Sequence, residues 1–407
     1  MSWIDQQFVG FGDKVACHEG GRTLTYADLV TEVDRLEVLL SPAVGSVPAV
    51  IAIQMASTLH ALAAVLAIVR LKQVALPLSP EMPMVEQVEQ QRIAGATFLL
   101  SAEGLRSQSM KVAPSKLIDQ LSKRGHAGLI LFSSGTSGEP KGMLHDLNAL
   151  LDRYGEVRPR ADRTVQLLLT DHIGGLDSAF RTLFAGSTLV LPEARTAVAV
   201  GEAVERYDVN ILPASPTFLN LMLLAQVAEQ FDCSSLEVIA YGAEPMSARL
   251  LGRLLEAFPN AAFQQKFGTS ETGAIRIKSQ STGSLYFSIE DSGVEWRVHD
   301  EELWLKTSSR ILGYLNADES SLEADGWYRT GDLVEEAEGG YLRIVGRRSQ
   351  LINVGGQKVH PAEVEQVIAE IEGVEVCSVY AKPAPVTGSM VACVIVTSAG
   401  RDLRSWK

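Results

Sequence analysis

From residue 49 to residue 257, short apolar runs alternate with stretches whose apolar residues recur at helical spacing. "AVIAI" (49–53) precedes a helix predicted over 57–70, and "VALPL" (74–78) follows it. "GLILF" (128–132) leads into a stretch rich in glycine and serine. "TVQLLL" (164–169) precedes a helix near 175–185, with "STLVL" (187–191) behind it. "VNILPAS" (209–215) precedes a helix at 216–230, and "LEVIAYG" (236–242) a helix at 246–257. A chain that alternates in this way folds into largely parallel sheets with helices over their faces. Ligands of such sheets sit beyond the carboxyl ends of the strands. Ahead of the alternation, "VACHEGGRTLTY" carries a hairpin signal with Gly20-Gly21 at the turn. Thr25 is placed to N-cap the amphipathic run "YADLVTEVDRLEVLL".

The pattern changes after about residue 283. "LYFSIE", "VEWRVHD" and "ELWLKT" alternate in polarity and are separated by turns, which predicts antiparallel strands. A second break falls at "GRRSQ" (346–350); beyond it come a strand "LINVGG", a helix 361–372 and strands at 374–381 and 390–397. A chain of 407 residues is too long for one core. The expected fold is therefore α/β. A large domain, residues 1–346, has mainly parallel, helix-covered sheets plus a small β-barrel-like subdomain. A small α+β domain follows from residue 347.

Charge and cysteine usage narrow the functional classes. The formal net charge is −13, which would repel nucleic-acid phosphates rather than steer them in. Cys17, Cys233, Cys377 and Cys393 fall in no CxxC or Cys/His cluster, so neither a zinc site nor a disulfide framework is expected. Reduced cysteines fit a cytoplasmic protein. The start "MSWIDQQFVGFGDK" has no basic segment followed by an apolar one, unlike a secretory signal. The longest apolar run, "ALAAVLAIV" (61–69), ends at Arg70 and is short of the roughly 20 residues of a membrane helix.

The stretch "SSGTSGEPKG" (133–142) is the strongest chemical signal. Gly135, Gly138 and Gly142 let the backbone approach a ligand. Exposed N–H groups after a strand form an anion nest, to which the hydroxyls add donors and Lys141 a cation. The stretch is neither a Walker A loop, because Gly142 follows Lys141, nor a Rossmann GxGxxG. "FGTSETG" (267–273) presents Glu271 beside hydroxyls, a donor set suited to Mg²⁺ among phosphates. "WYRTGDL" (327–333) places Asp332 where a carboxylate accepts hydrogen bonds from a ribose diol. "GRRSQLINVGGQKVHPAEVE" (346–365) offers Arg347 to a nucleotide, a tight turn at Gly355-Gly356 and a helix opening at Pro361.

Taken together and in this order, these motifs resemble the AMP-forming acyl-adenylate superfamily, which includes acyl- and aryl-CoA ligases, nonribosomal adenylation domains and luciferases. The resemblance spans almost the whole chain. "SSGTSGEPKG" is similar to the family's phosphate loop, and "YGAEPMS" (241–247) resembles its adenine-contacting strand end. "FGTSETG" is similar to its "YGxTE" motif, with Phe267 in place of the usual Tyr. "YRTGDL" matches its ribose motif, and "GRRSQLINVGGQKVHPAEVE" its hinge and small-domain start.

The resemblance implies roles for individual residues. Ser134, Gly135, Thr136, Ser137, Gly138 and Lys141 would hold the β- and γ-phosphates of ATP. Glu271 would bind Mg²⁺ with Ser270 or Thr136. Gly242, Ala243 and Glu244 would line the adenine near Phe267 and Gly268, and Asp332 and Arg347 would bind the ribose. "LTDHIGGLDSAF" (169–180) resembles the segment that carries a histidine in CoA ligases, so His172 would border the acyl pocket with residues 213–220 and 264–270. Ser349 stands at the hinge position, where the family usually has Asp or Lys.

The implied reaction is ATP-dependent activation of a small aromatic or medium acyl acid to acyl-AMP, then transfer to CoA. The alternatives are transfer to a carrier protein, or a catalytically impaired nucleotide-binding protein. The family's small domain continues past "VACVIVTSAGRDLRSWK" to a lysine used in adenylation. On these 407 residues, adenylation is expected to be slow while ATP and acyl-AMP binding persist.

Overall fold

The helix Thr58–Arg70 is buried nearly all round, from Leu59 through Leu62 to Ile68. Its N-terminus is fixed by Ser57, whose side chain accepts from the His60 backbone N–H. A helix without a polar face needs cover on every side. Here one core joins it to Ala16 and Cys17 of one sheet, to Ile51, Ala75 and Leu129 of a second, and to helices Tyr26–Leu40 and Ile173–Phe184. The computed structural model describes residues 3–45, 47–108, 115–133, 139–317, 321–371 and 373–397. Ser134, Gly135, Thr136, Ser137 and Gly138 lie outside the described residues.

The first sheet runs in the order Ala262–Gln265, Val238–Tyr241, Ile211–Ala214, Arg163–Val165, Thr188–Val190, Val15–Glu19, Arg22–Thr25. All its pairings are parallel except the final hairpin. That hairpin turns at Gly20 and Gly21, both with positive φ, as a two-residue turn requires. Thr25 then closes a capping box with Asp28.

The second sheet runs Gly313–Tyr314, Lys141–Asp146, Gly128–Ser133, Val74–Pro77, Val50–Gln54, Ala96–Ser101, Gly104–Ser107. It is parallel in the middle and antiparallel at both edges. The third sheet, Ile277–Ser279, Phe287–Ile289, Tyr341–Arg347, Tyr328–Ala337, Glu302–Thr307, Val294–His299, is antiparallel throughout.

Past Arg347 come a 3-10 turn Arg348–Gln350 that contains Ser349, a hairpin Ile352–Val354/Gln357–Val359, the helix Pro361–Ala369 and a hairpin Val374–Ala384/Gly388–Thr397. Among the described residues no helix is long and apolar enough to cross a membrane, and the four cysteines are free thiols.

Two expectations change. The helix expected at 216–230 is two, Pro216–Leu224 and Val227–Gln230, broken where Gln226 takes φ +50°. The break turns Val227 beneath Gly201, where a Cβ would meet Val227 at 2.8 Å. The helix expected at 361–372 ends at Ala369.

The helix Ile173–Phe184 is seated by a close approach at Gly175, where a Cβ would fall onto the Leu169 carbonyl. Gly252, inside the helix Ala248–Ala257, has open space around it. Gly175→Ala should therefore lower unfolding stability by about 1–3 kcal/mol, and Gly252→Ala should raise it by about 0.5–1 kcal/mol. Urea unfolding of both variants checks the pair; equal effects would contradict the seating.

Candidate active site

Strands Gly128–Ser133 and Lys141–Asp146 are antiparallel neighbours, with Ser133 opposite Lys141. The glycine-rich stretch is thus flanked by two antiparallel strands, whereas Walker A and Rossmann loops join a strand to a helix. Lys141 opens the return strand, half-buried. The base of the loop is clamped from afar. The Gly142 N–H donates to Asn316 Oδ1 (3.0 Å), and Asn316 Nδ2 donates to the Pro140 carbonyl (2.9 Å).

Gly313–Tyr314 pairs along the same return strand, Tyr314 opposite Met143. From there the Tyr314 hydroxyl donates to Glu271 Oε1 at 2.9 Å. The buried Tyr328 phenol also hydrogen-bonds Glu271; burial first, then the Glu271 charge, holds that phenol far above its usual range. The Glu271 loop has a fixed backbone. Ile311 N–H donates to the Glu271 carbonyl (2.7 Å), Ser309 Oγ to the Thr272 carbonyl (2.9 Å), and Thr272 N–H to Thr269 Oγ1 (3.1 Å). Beneath Ser270 lies His145, fully buried on the return strand, its pKa drawn down to about 4 by burial and so neutral.

Asp332 sits on the strand that carries Tyr328, four residues on and on the same buried face. It faces Arg347 across the ladder, Oδ1 to Nε 2.9 Å, at 4% exposure. Glu302 braces this turn. It accepts the Gly331 N–H (2.9 Å), at a glycine with φ +74°, and the Arg348 Nε (3.0 Å). Burial pushes the Asp332 carboxyl up to about 6; Arg347 opposes the rise, and the charges of Glu271 and Glu302 add to it. Glu271 and Asp332 are thus two electrostatically coupled carboxylates, next to the base of a glycine-rich hairpin.

The other candidates lie along the ends of the first sheet. Gly242 follows the strand Val238–Tyr241 and packs so closely that a Cβ would meet the Lys266 carbonyl at 2.6 Å. Ala243 has φ +69°, and Glu244 Oε2 accepts from Thr217 N (3.0 Å) and Oγ1 (2.6 Å), which ties this loop to residues 213–220. The Phe267 ring is buried on Phe287 at a centroid distance of 5.7 Å, so its backbone, with Gly268, is what it offers a ligand. His172 N-caps the helix Ile173–Phe184 with its side chain 62% exposed, 3.9 Å from the buried Asp171. That helix packs against the strand Gly273–Ile275, directly after the Glu271 loop.

The residues therefore fall into two groups. Lys141, Ser270, Glu271, Asp332 and Arg347 are joined by hydrogen bonds and shared strands, while Gly242, Ala243, Glu244 and His172 flank them. Tyr314, Asn316, Tyr328, Glu302 and Arg348 hold the first group and were not singled out from sequence. The donor set fits Mg²⁺. Among the described residues no three ligating side chains converge, and one half-buried carboxylate is what that cation takes when phosphates and water supply the other oxygens.

A carboxyl held above its ordinary value favours folding in its neutral form. That term is whole below about pH 4 and is lost as pH rises through about 6. Asp332→Asn, neutral throughout, should exceed the parent in stability near pH 8 by up to about 3 kcal/mol, and the gap should close toward pH 4. Urea midpoints across that range test this; a gap independent of pH would contradict it.

Comparison with known proteins identifies the family. A family model described as AMP-binding enzyme matches residues 4–303. A 4-coumarate–CoA ligase-like protein of Oryza sativa subsp. japonica is 29% identical over 303 residues, covering 69% of this chain and 55% of the relative. This chain thus spans about half the length of that curated relative. The o-succinylbenzoate CoA synthetase of Bacillus subtilis, solved with its acyl-adenylate intermediate, superposes with TM-score 0.76 at 22% identity over 98% of this chain and 89% of that one. The amide bond synthetase McbA of Marinactinospora thermotolerans superposes with TM-score 0.78 at 23% identity over the same shares. These two likenesses are of fold. With its hairpin loop, paired carboxylates and a family match over most of its length, the chain belongs to the AMP-binding enzyme family.

Proposed function

We propose that this protein activates a carboxylic acid with ATP. A substrate carboxylate oxygen attacks the α-phosphorus, the bond from that phosphorus to the bridging oxygen breaks, and pyrophosphate leaves. The product is a mixed anhydride, acyl-AMP. The thiol sulfur of CoA then attacks the acyl carbon, AMP leaves, and the thiol proton passes to solvent. The observation that carries this reading is that one strand holds both carboxylates: Tyr328 fixes Glu271, and Asp332 faces Arg347 four residues on.

Each group has a physical task. Two anions must meet, so their repulsion has to be neutralised where charge develops. Lys141 and the backbone N–H groups of the hairpin, Ser134 to Gly138, take the β- and γ-phosphates. Mg²⁺, held by Glu271 with Ser270 or Thr136, would supply further neutralisation of phosphate charge. Tyr314 and Tyr328 hold the Glu271 carboxylate and aim it. Asp332 and Arg347 take the ribose hydroxyls, and Gly242 to Glu244 the adenine. No general base is required, because the substrate carboxylate is already ionised at neutral pH.

The acyl pocket lies among His172, residues 213–220 and residues 264–270, and takes a small aromatic or medium acyl group. Residues from 347 on belong to a second domain that turns about Ser349, on the 3-10 turn after Arg347, between adenylation and thioester formation. The reaction is placed in the cytoplasm.

Lys141→Ala and Glu271→Gln should each lower carboxylate-dependent exchange of pyrophosphate into ATP by about 10²-fold or more. Tyr314→Phe, which removes one bond to Glu271, should lower it by about 5- to 20-fold. Wild-type exchange rates in both Lys141→Ala and Glu271→Gln would overturn the site.

A further inference from the structure

We propose that Lys266, with Arg181 beside it, selects a carboxylic acid that carries a second anionic group at a distance from the carboxylate to be activated. This rests on the acid-activating reading and names the substrate class of that same site.

Lys266 is a cation without a partner. Its backbone is locked where the first sheet ends: Lys266 N–H donates to the Tyr241 carbonyl at 2.7 Å, and its own carbonyl lies against Gly242. Its ammonium reaches only Gln264 Oε1, at 3.3 Å, and among the described residues no carboxylate stands within ion-pair distance. The side chain is exposed to solvent where the first sheet ends. Burial, and then the Arg181 charge, pull its pKa below the ordinary lysine value, while Asp177 opposes them.

The helix Ile173–Phe184 brings the other members. Asp177 and Arg181 stand one turn apart on it and both act electrostatically on Lys266. Asp177 is already engaged: the Tyr154 hydroxyl donates to its Oδ1 at 2.8 Å, and Arg181 Nη2 lies 3.5 Å from the same atom. Lys266 is left as the unmatched charge. An uncompensated ammonium in partly dehydrated surroundings is unfavourable without an anion to meet it, and here it persists in a chain of net charge −13.

Its place decides which anion. Lys266 immediately precedes Phe267 and Gly268, abuts Gly242, and stands five residues before Glu271. His172, at the start of the helix bearing Arg181, marks the same pocket. On the proposed function the phosphates belong to residues 134–141 and Glu271, whereas Lys266 falls among residues 264–270 of the acyl pocket. An anion at Lys266 is therefore one carried by the acyl group.

The test uses non-hydrolysable acyl-sulfamoyl adenosines, whose binding does not depend on turnover. The probes are the o-, m- and p-carboxybenzoyl, succinyl and glutaryl derivatives, each against its monomethyl ester, with the benzoyl derivative as reference, by titration calorimetry. At least one free acid should bind about 10- to 100-fold more tightly than its ester, the range of a charge-assisted hydrogen bond. Lys266→Met should remove that gap, and Lys266→Arg should keep it. Equal affinities within every pair, or a gap that survives Lys266→Met, would overturn the proposal. Failure of every probe, the benzoyl derivative included, would instead defeat the acid-activating reading and this inference with it.

Discussion

Two phenols hold Glu271. Tyr314 reaches it from the edge of the second sheet and Tyr328 from the third. A carboxylate that accepts from two hydroxyls is held in one orientation. This contact is also where the sheets meet: the Tyr314 strand pairs with the return strand of the glycine-rich hairpin, and the Tyr328 strand carries Asp332. The strands flanking the glycine-rich stretch, Glu271 and Asp332 are thereby joined through shared supports.

The same arrangement explains why Asp332 is strained electrostatically rather than relaxed by its ion pair. Arg347 is half exposed and lies on one side, while Glu271 and Glu302 lie near on the others and burial outweighs the pairing. A buried carboxylate held above its ordinary value is a candidate for contact with a ligand that brings hydroxyls. Lys266 has the opposite sign and the same logic: a charged group whose partner has to come from outside the chain.

Much of this was legible in the sequence where the cause is local. The Gly20-Gly21 hairpin, the Thr25 capping box and the Ser57 cap depend on residues a few positions apart, and the alternation of apolar runs with helical patterns announces the parallel sheets. The motif residues Lys141, Glu271, Asp332 and Arg347 were legible because their chemistry is unusual in its context. Their supports were not. Tyr314 is 43 residues from Glu271, Asn316 is 174 from Gly142, and Glu302 is 29 from Gly331, and each is an ordinary residue in an ordinary strand. The return strand Lys141–Asp146 was also hidden, since its apolar residues run straight into the helix Leu147–Asp152 with no turn between. The break at Gln226 follows from what Val227 packs against, which local spacing does not encode.

The account's central claim is that this site brings a carboxylate oxygen to the α-phosphorus of ATP. Supplying MgATP and CoA with a substrate acid labelled in both carboxyl oxygens with ¹⁸O tests it most directly. Mass spectrometry should find one ¹⁸O in each AMP formed and none in pyrophosphate. Label in pyrophosphate or phosphate, or AMP released without label, would contradict it.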